Sequence, residues 1–335
     1  MNFARNLVAG GSILVVMDET RGRIGRSFVR FGLAPTKPMI EEFRAILLST
    51  PDLENYVSGV ILPLGWHTQN VRGQKVGDYL KDRHILLGVN VNSGLADFPR
   101  HPGEKYNIGL DFLTEEKLRF IAQDGVQFTK SHAIYRIGDA IPSQASINQN
   151  ATYLAMSALK CQSVGLIPII AVDVIGDGAY PIHDCKEITK ALLAGIMDYL
   201  RMYSVNFSRL VLMTNLVTPG RQSQMFLSPE DIAQYTIETL DESQLSSDLA
   251  GVALKSTSNA PHSIYECIAA LNRYTLGYKT TACFSDVFIS QALKVYVESN
   301  GHVQTVQEAF LELIQRFAAA RCGIGPQEYD TLHPL

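Results

Sequence analysis

Lys130 and His132 stand two residues apart in the apolar run FTKSHAIYRI, so in an extended strand the amine and the imidazole project from one face. The same alternation puts Asn90 with Asn92 in GVNVNSG, Ala171 with Asp173 in AVDV, and Val211, Met213 and Asn215 together in LVLMTNLV. Asp18, Ser256 and Asp286 close three further apolar runs. Polar groups at the ends of otherwise apolar segments predict a wet, chemically equipped cavity. The chemistry such groups offer is proton transfer and amine attack: Asp173 as a general base, His132 as acid or base, and Lys130 as an amine able to form an imine. Each also has a plainer reading, with Lys130 as an ion-pair partner of Asp18, Asp173 in a salt bridge to Lys130, and His132 as a hydrogen-bonded core histidine. Asn90 and Asn92 can bind a polar ligand or hydrogen-bond each other and nearby loops.

The elements that must position these residues alternate along the chain. Runs rich in Val, Ile, Leu and Phe predict strands at 12–17, 57–62, 84–91, 127–137, 166–174, 209–217, 251–256 and 280–286. Amphipathic stretches at 39–48, 144–164, 186–203, 229–240 and 263–276 predict helices, with a further one at 305–321. Ser228 before Pro229 reads as an N-cap followed by proline at the first helical position. Eight strands alternating with helices imply an α/β fold, a (β/α)8 TIM barrel forming a single domain over residues 1–335, and no dinucleotide or P-loop glycine motif supports an open sheet. In such barrels function sits at the C-terminal ends of the strands. Alternation places Lys255, just before Ser256, away from that cavity. Trp66 and His67, following the second strand, can line a pocket or pack in a loop.

Composition narrows the partners. Of 335 residues, 46% are hydrophobic and 19% charged, enough for a packed core, and the net charge of −4 offers no basic footprint for nucleic acid or an anionic membrane. No apolar run approaches the roughly 20 residues needed to cross a bilayer. The interrupted N-terminus does not read as a signal peptide, which points to a cytoplasmic protein. Five cysteines, an odd number with no CxxC pair, argue against a disulfide framework or thiolate zinc site. No His and carboxylate cluster has ligand spacing, so neither metal nor cofactor is expected.

The chain resembles class I fructose-bisphosphate aldolases over nearly its full length. The resemblance is carried by MDETRGRIGRSF at 17–28, NYVSGVIL at 55–62, INQNATYLA at 147–155, GLIPII at 165–170 and NLVTPG at 215–220, with a weaker match in QALKVY at 291–296. It implies a (β/α)8 barrel, usually tetrameric, whose strand-six lysine forms an imine with a keto substrate that then serves as electron sink for carbon–carbon cleavage.

In this chain Met213 occupies the position of that lysine. The acidic pair of strand five becomes Ala171 and Asp173, and the lysine and aspartate of strand three become Asn90 and Asn92. His132 stands for an arginine, and Asp286 for the arginine that grips a substrate phosphate. Opposite unit charges about 4 Å apart attract by roughly 4 kcal/mol at an effective dielectric of 20, so an anion there reverses a large contribution. Thr257 and Ser258 replace phosphate-loop glycines, and the shortened tail carries Tyr329 with no assigned role. Asp18, Lys130 and Ser256 match residues the family keeps, Ser256 as a phosphate contact.

The resemblance therefore implies a pseudoenzyme, Met213 and Ala171 marking lost catalytic positions, that binds a sugar or carbonyl metabolite or a protein partner. The alternative is a repurposed enzyme using Lys130, Asp18, His132 and Asp173, with Lys130 as a relocated imine lysine. A third reading is fructose 1,6-bisphosphate cleavage by an atypical mechanism. Ser256, Asn90, Asn92, Asn215 and Asp286 are the expected binding residues, and a homo-oligomer, tetrameric by resemblance, is the expected assembly.

Overall fold

Eight parallel strands close on one another in the computed structural model, which describes residues 3–8, 10–256, 261–284 and 286–332. The barrel strands are β1 (Ile13–Val16), β2 (Val57–Pro63), β3 (Leu86–Asn90), β4 (Phe128–Tyr135), β5 (Ile167–Val174), β6 (Val211–Asn215), β7 (Gly251–Lys255) and β8 (Thr280–Phe284). Each pairs with its neighbours in sequence, and β1 closes the ring against both β2 and β8. This is the (β/α)8 barrel the alternation predicted.

Alternation along the strands separates two cores. Outward residues such as Val15, Val60, Leu87, Ile170, Val172, Leu212, Val252 and Leu254 pack under the helical shell. Inward residues Leu14, Val16, Ile61, Phe128, Ile167, Ile169, Ala171, Val211, Met213, Ala253 and Cys283 form a second, apolar cluster that fills the barrel. Phe128 dominates it. A methyl group on Gly88 would land on the Phe128 ring, so that position needs glycine for the aromatic to fit, and one on Gly59 would lie a tight 3.1 Å from the same ring.

The shell is led by α1 (Phe3–Leu7), α2 (Arg21–Arg30), α3 (Lys37–Leu48), α4 (Val76–Asp82), α5 (Glu115–Gln123) and α6 (Gln144–Ser163). It continues with α7 (Ile182–Met202), α8 (Pro229–Glu242), α9 (Pro261–Asn272), α10 (Asp286–Glu298), α11 (Val303–Ala320) and α12 (Pro326–Leu332). Ser228 caps α8 as its sequence predicted, accepting from the Asp231 amide while the Asp231 carboxylate accepts from the Ser228 amide.

Several elements differ from the sequence reading. The strand expected over 209–217 is shorter, because Phe207–Arg209 is a 3-10 turn. The strand expected to end at Asp286 stops at Phe284, and Asp286 instead begins α10. Two antiparallel hairpins, Asn70–Val71 with Gln74–Lys75 and Gly94–Asp97 with Lys105–Ile108, extend the β2 and β3 loops. Among the described residues no helix is long and apolar enough to cross a membrane.

Candidate active site at the mouth of the barrel

Above the apolar filling, the inward positions turn polar. In β4 the sequence from Phe128 steps up through Lys130 to His132, and in β5 from Ile169 through Ala171 to Asp173. In β6 Val211 is followed by Met213 and Asn215. The registers Met213 opposite Ala253 and Asn215 opposite Lys255 place Lys255 on the inward set of β7. The expectation that Lys255 faces away is thus corrected. Val252 and Leu254 satisfy the outer core while small Ala253 fits the barrel interior, and that fixes the parity of the strand.

Two lysine–carboxylate pairs result. Lys130 Nζ lies 2.9 Å from Asp18 Oδ2, and the Asn90 side-chain amide donates to the same oxygen at 2.7 Å. Burial penalises the Asp18 carboxylate, yet Lys130, His132 and Asn90 together hold its pKa below the usual value. Burial likewise works against the Lys130 ammonium, but Asp18 and Asp173 raise its pKa above the ordinary lysine range. Lys130 is therefore held as a cation, and the predicted partnership with Asp18 is present.

Asp173 does not take Lys130 as its salt-bridge partner. Its Oδ1 lies 2.5 Å from Lys255 Nζ. Despite burial, Lys255, then His132 and Lys130, bring the Asp173 pKa down to about 2, so it is a carboxylate throughout the neutral range. His132 faces the same group. Desolvation pushes its pKa down to about 4, leaving a neutral imidazole whose buried Nδ1 has no hydrogen-bond partner among the described residues. Cys283, in the apolar cluster below, is a thiol pushed up to about 12 by burial.

The remaining predicted residues separate from this group. Asn92 serves as a clamp: its Oδ1 accepts from the His132 amide at 2.7 Å, and its Nδ2 donates to the His132 carbonyl at 2.9 Å and to Asn107. Asn107 in turn joins Asn150 of α6, tying the second hairpin to β4. Asn215 accepts from the Val174 amide at 2.8 Å and pins β5 to β6. Ser256 is half-buried just beyond β7. Thr257, Ser258 and the Asp286 side chain lie outside the described residues. Trp66 and His67 are buried in a 3-10 turn, with Arg44 stacked 5.9 Å from the indole centroid, and so pack the loop. Tyr329 lies at the opposite end, on a groove of about 1000 Å³ below the barrel that also takes in Ser12, Ser58, Gln127 and Cys322.

The mouth thus joins a fixed ammonium, a second lysine, two carboxylates and a neutral imidazole. Such a set can bind a polarised oxygen and move protons around it. Lys255 is the residue that sequence reasoning missed. The signal that could have found it is Ala253, the small residue whose inward placement forces Lys255 inward as well.

Comparison with known proteins agrees with this architecture. The chain is 29% identical over 311 residues to the cytoplasmic isozyme of fructose-bisphosphate aldolase from Spinacia oleracea, covering 92% of this chain and 86% of that one. It is 27% identical to fructose-bisphosphate aldolase B from Gallus gallus over 318 residues, covering 94% and 87%. The structure of the fructose-bisphosphate aldolase from Plasmodium falciparum superposes with a TM-score of 0.92 at 25% identity, covering 96% of this chain and 93% of that one. Residues 1–330 match the family described as glycolytic fructose-bisphosphate aldolase class-I, and to that family the chain belongs.

Proposed function

We propose that this protein is a lyase-type enzyme of the aldolase family that handles a small sugar-like or other carbonyl metabolite with a rebuilt set of residues at the barrel mouth. The observation that carries this reading is the convergence of Lys130–Asp18, Lys255–Asp173 and a His132 imidazole whose buried Nδ1 has no partner among the described residues, above an apolar barrel floor. A layer of buried charge costs stability unless each member is paired, and a neutral imidazole beside two ion pairs has a ready use in proton transfer. Ala171 and Met213 supply no acid, base or nucleophile. The family's own lysine position contributes nothing to the chemistry.

The steps assigned to these side chains follow from their state. Lys130 holds a substrate oxygen electrostatically, Asp173 orients Lys255, and His132 passes a proton to or from the bound carbonyl compound. Asp18 and Asn90 keep Lys130 in place. A second reading, binding without cleavage, is favoured by Met213, which the resemblance aligns with the imine lysine and which is fully buried. A cytoplasmic homotetramer completes the first reading, and light scattering checks the assembly.

The test is turnover. Purified protein is assayed for aldol cleavage and condensation against fructose 1,6-bisphosphate and a panel of ketoses, aldehydes and keto acids, with and without phosphate. The expected result is negligible cleavage of fructose 1,6-bisphosphate, by wild type and Met213→Lys alike, with turnover of at least one other carbonyl compound. Binding without turnover of any compound would shift the reading to the pseudoenzyme. Efficient fructose 1,6-bisphosphate cleavage by the wild type would overturn both.

A further inference from the structure

The two lysines at the mouth are not equivalent, and the difference singles out Lys255. Lys130 has a side chain only 8% exposed and shares its carboxylate oxygen with Asn90, while Lys255 is 23% exposed and meets Asp173 alone among the described carboxylates. Lys255 stands one inward step above Ala253, the lateral neighbour of Met213. That step is roughly 6–7 Å along the barrel, within the span of a lysine side chain. A partly exposed amine with a carboxylate at contact distance, and a neutral imidazole within electrostatic range of that carboxylate, is an arrangement in which an amine attacks a carbonyl.

We propose that Lys255 is the imine-forming nucleophile of this protein, a role that rests on the carbonyl-enzyme reading above. As the ion pair stands, the Lys255 nitrogen bears three protons and no lone pair. One proton passes to His132, relayed by solvent at this partly exposed end of the site, and the freed lone pair forms a bond to the carbonyl carbon. The carbonyl π electrons move onto oxygen, which takes up one of the two protons left on the attacking nitrogen to give the neutral carbinolamine. The hydroxyl then leaves as water with a proton returned from the imidazolium, and the nitrogen lone pair forms the C=N bond. The sum is an ammonium plus a carbonyl giving an iminium plus water, with no oxidant, reductant or further reactant. Asp173 stays anionic throughout and stabilises first the ammonium and then the iminium.

The placement also accounts for Ala171. Its lateral neighbours are His132 and Met213, one layer below Asp173, so the only carboxylate on the inward face of β5 is the one that meets Lys255. A carboxylate at 171 would compete with Asp173 for the same cation.

The test is reductive trapping. Wild type, Lys255→Met, Lys255→Arg, Lys130→Met and His132→Gln are incubated with dihydroxyacetone, glyceraldehyde and pyruvate, and with the phosphorylated forms of the first two. Borohydride is added, and the adduct is located by intact mass and peptide mapping. The expected result is one adduct on Lys255, lost in Lys255→Met and Lys255→Arg, with labelling in His132→Gln slowed by about 100-fold or more. Lys255→Arg keeps the cation beside Asp173 but cannot form the imine, so it separates lost chemistry from lost folding; it is expected to retain the wild-type melting temperature to within a few degrees. An adduct on Lys130, equal labelling of many surface lysines, or no adduct while the same probes are turned over would overturn the role of Lys255 and leave the enzyme reading standing, whereas probes bound with neither adduct nor turnover would overturn both in favour of a binding protein. Neither adduct, binding nor turnover with any probe would overturn both.

Discussion

The barrel mouth holds two lysine–carboxylate pairs that look alike in sequence and differ in surroundings. Lys130–Asp18 joins β4 to the end of β1, is closed over by Asn90, and is almost sealed. Lys255–Asp173 joins β7 to β5, is partly open, and has a neutral imidazole at its side. The first pair ties distant parts of the chain together and holds its ammonium as a fixed charge at the mouth. The second leaves one partner able to move. A salt bridge is therefore informative about function less through its length than through what else its members touch.

Substitution sharpens this contrast. Lys130→Met leaves Asp18 buried and uncompensated and is expected to cost about 3–5 kcal/mol in urea unfolding at neutral pH. A loss below about 1 kcal/mol would break the distinction, since Lys130 would then be as dispensable as a surface lysine. Lys255→Met removes a more exposed partner, and solvent screening brings its expected cost to about 1–2 kcal/mol in the same measurement. Equal losses for the two variants would erase the contrast.

A smaller effect is expected in the pH dependence. The folded pKa of His132, about 4, lies below the ordinary 6.5, so between those values the unfolded chain binds a proton that the native one refuses. Stability contributed by this site therefore rises with pH across 4 to 6.5, and His132→Gln is expected to flatten the slope there. Asp18 and Asp173 act lower down. Their native pKa values are depressed, that of Asp173 to about 2, so the stability they give is complete above about 4 and is lost as pH falls below it. A wild-type curve already flat between 4 and 6.5 would mean that the His132 imidazole is better solvated than its burial implies.

The fold was legible because runs covered on both faces leave long apolar signatures, and because Lys130 with His132 and Ala171 with Asp173 kept their parity inside long strands. Parity failed in β7. Across Gly251–Lys255 a single-residue slip exchanges Lys255 for Ser256, and only packing decides, through Val252 and Leu254 outside and Ala253 inside. The hairpin at Gly94–Ile108 left no period-two apolar signal, since most of its residues are partly or fully exposed. Its role emerged from Asn107 bridging Asn92 and Asn150, a three-dimensional relation between residues 15 and 43 positions apart. Helix α2 was hidden for a related reason: in RGRIGRSFVR only Ile24, Gly25 and Phe28 are buried, too few for a convincing apolar stripe.

The Phe128 ring seated over Gly59 and Gly88 divides the molecule into two compartments. With the middle of the barrel filled, neither water nor a small solute has a path through it, and the groove at the N-terminal end shares no lumen with the mouth. Cys322, exposed on that groove, is therefore a handle at which a thiol-reactive dye or surface tether can be attached without obstructing the mouth. The protein can be immobilised by its base with its reactive end facing the solution, an orientation suited to single-molecule observation of ligands arriving and leaving.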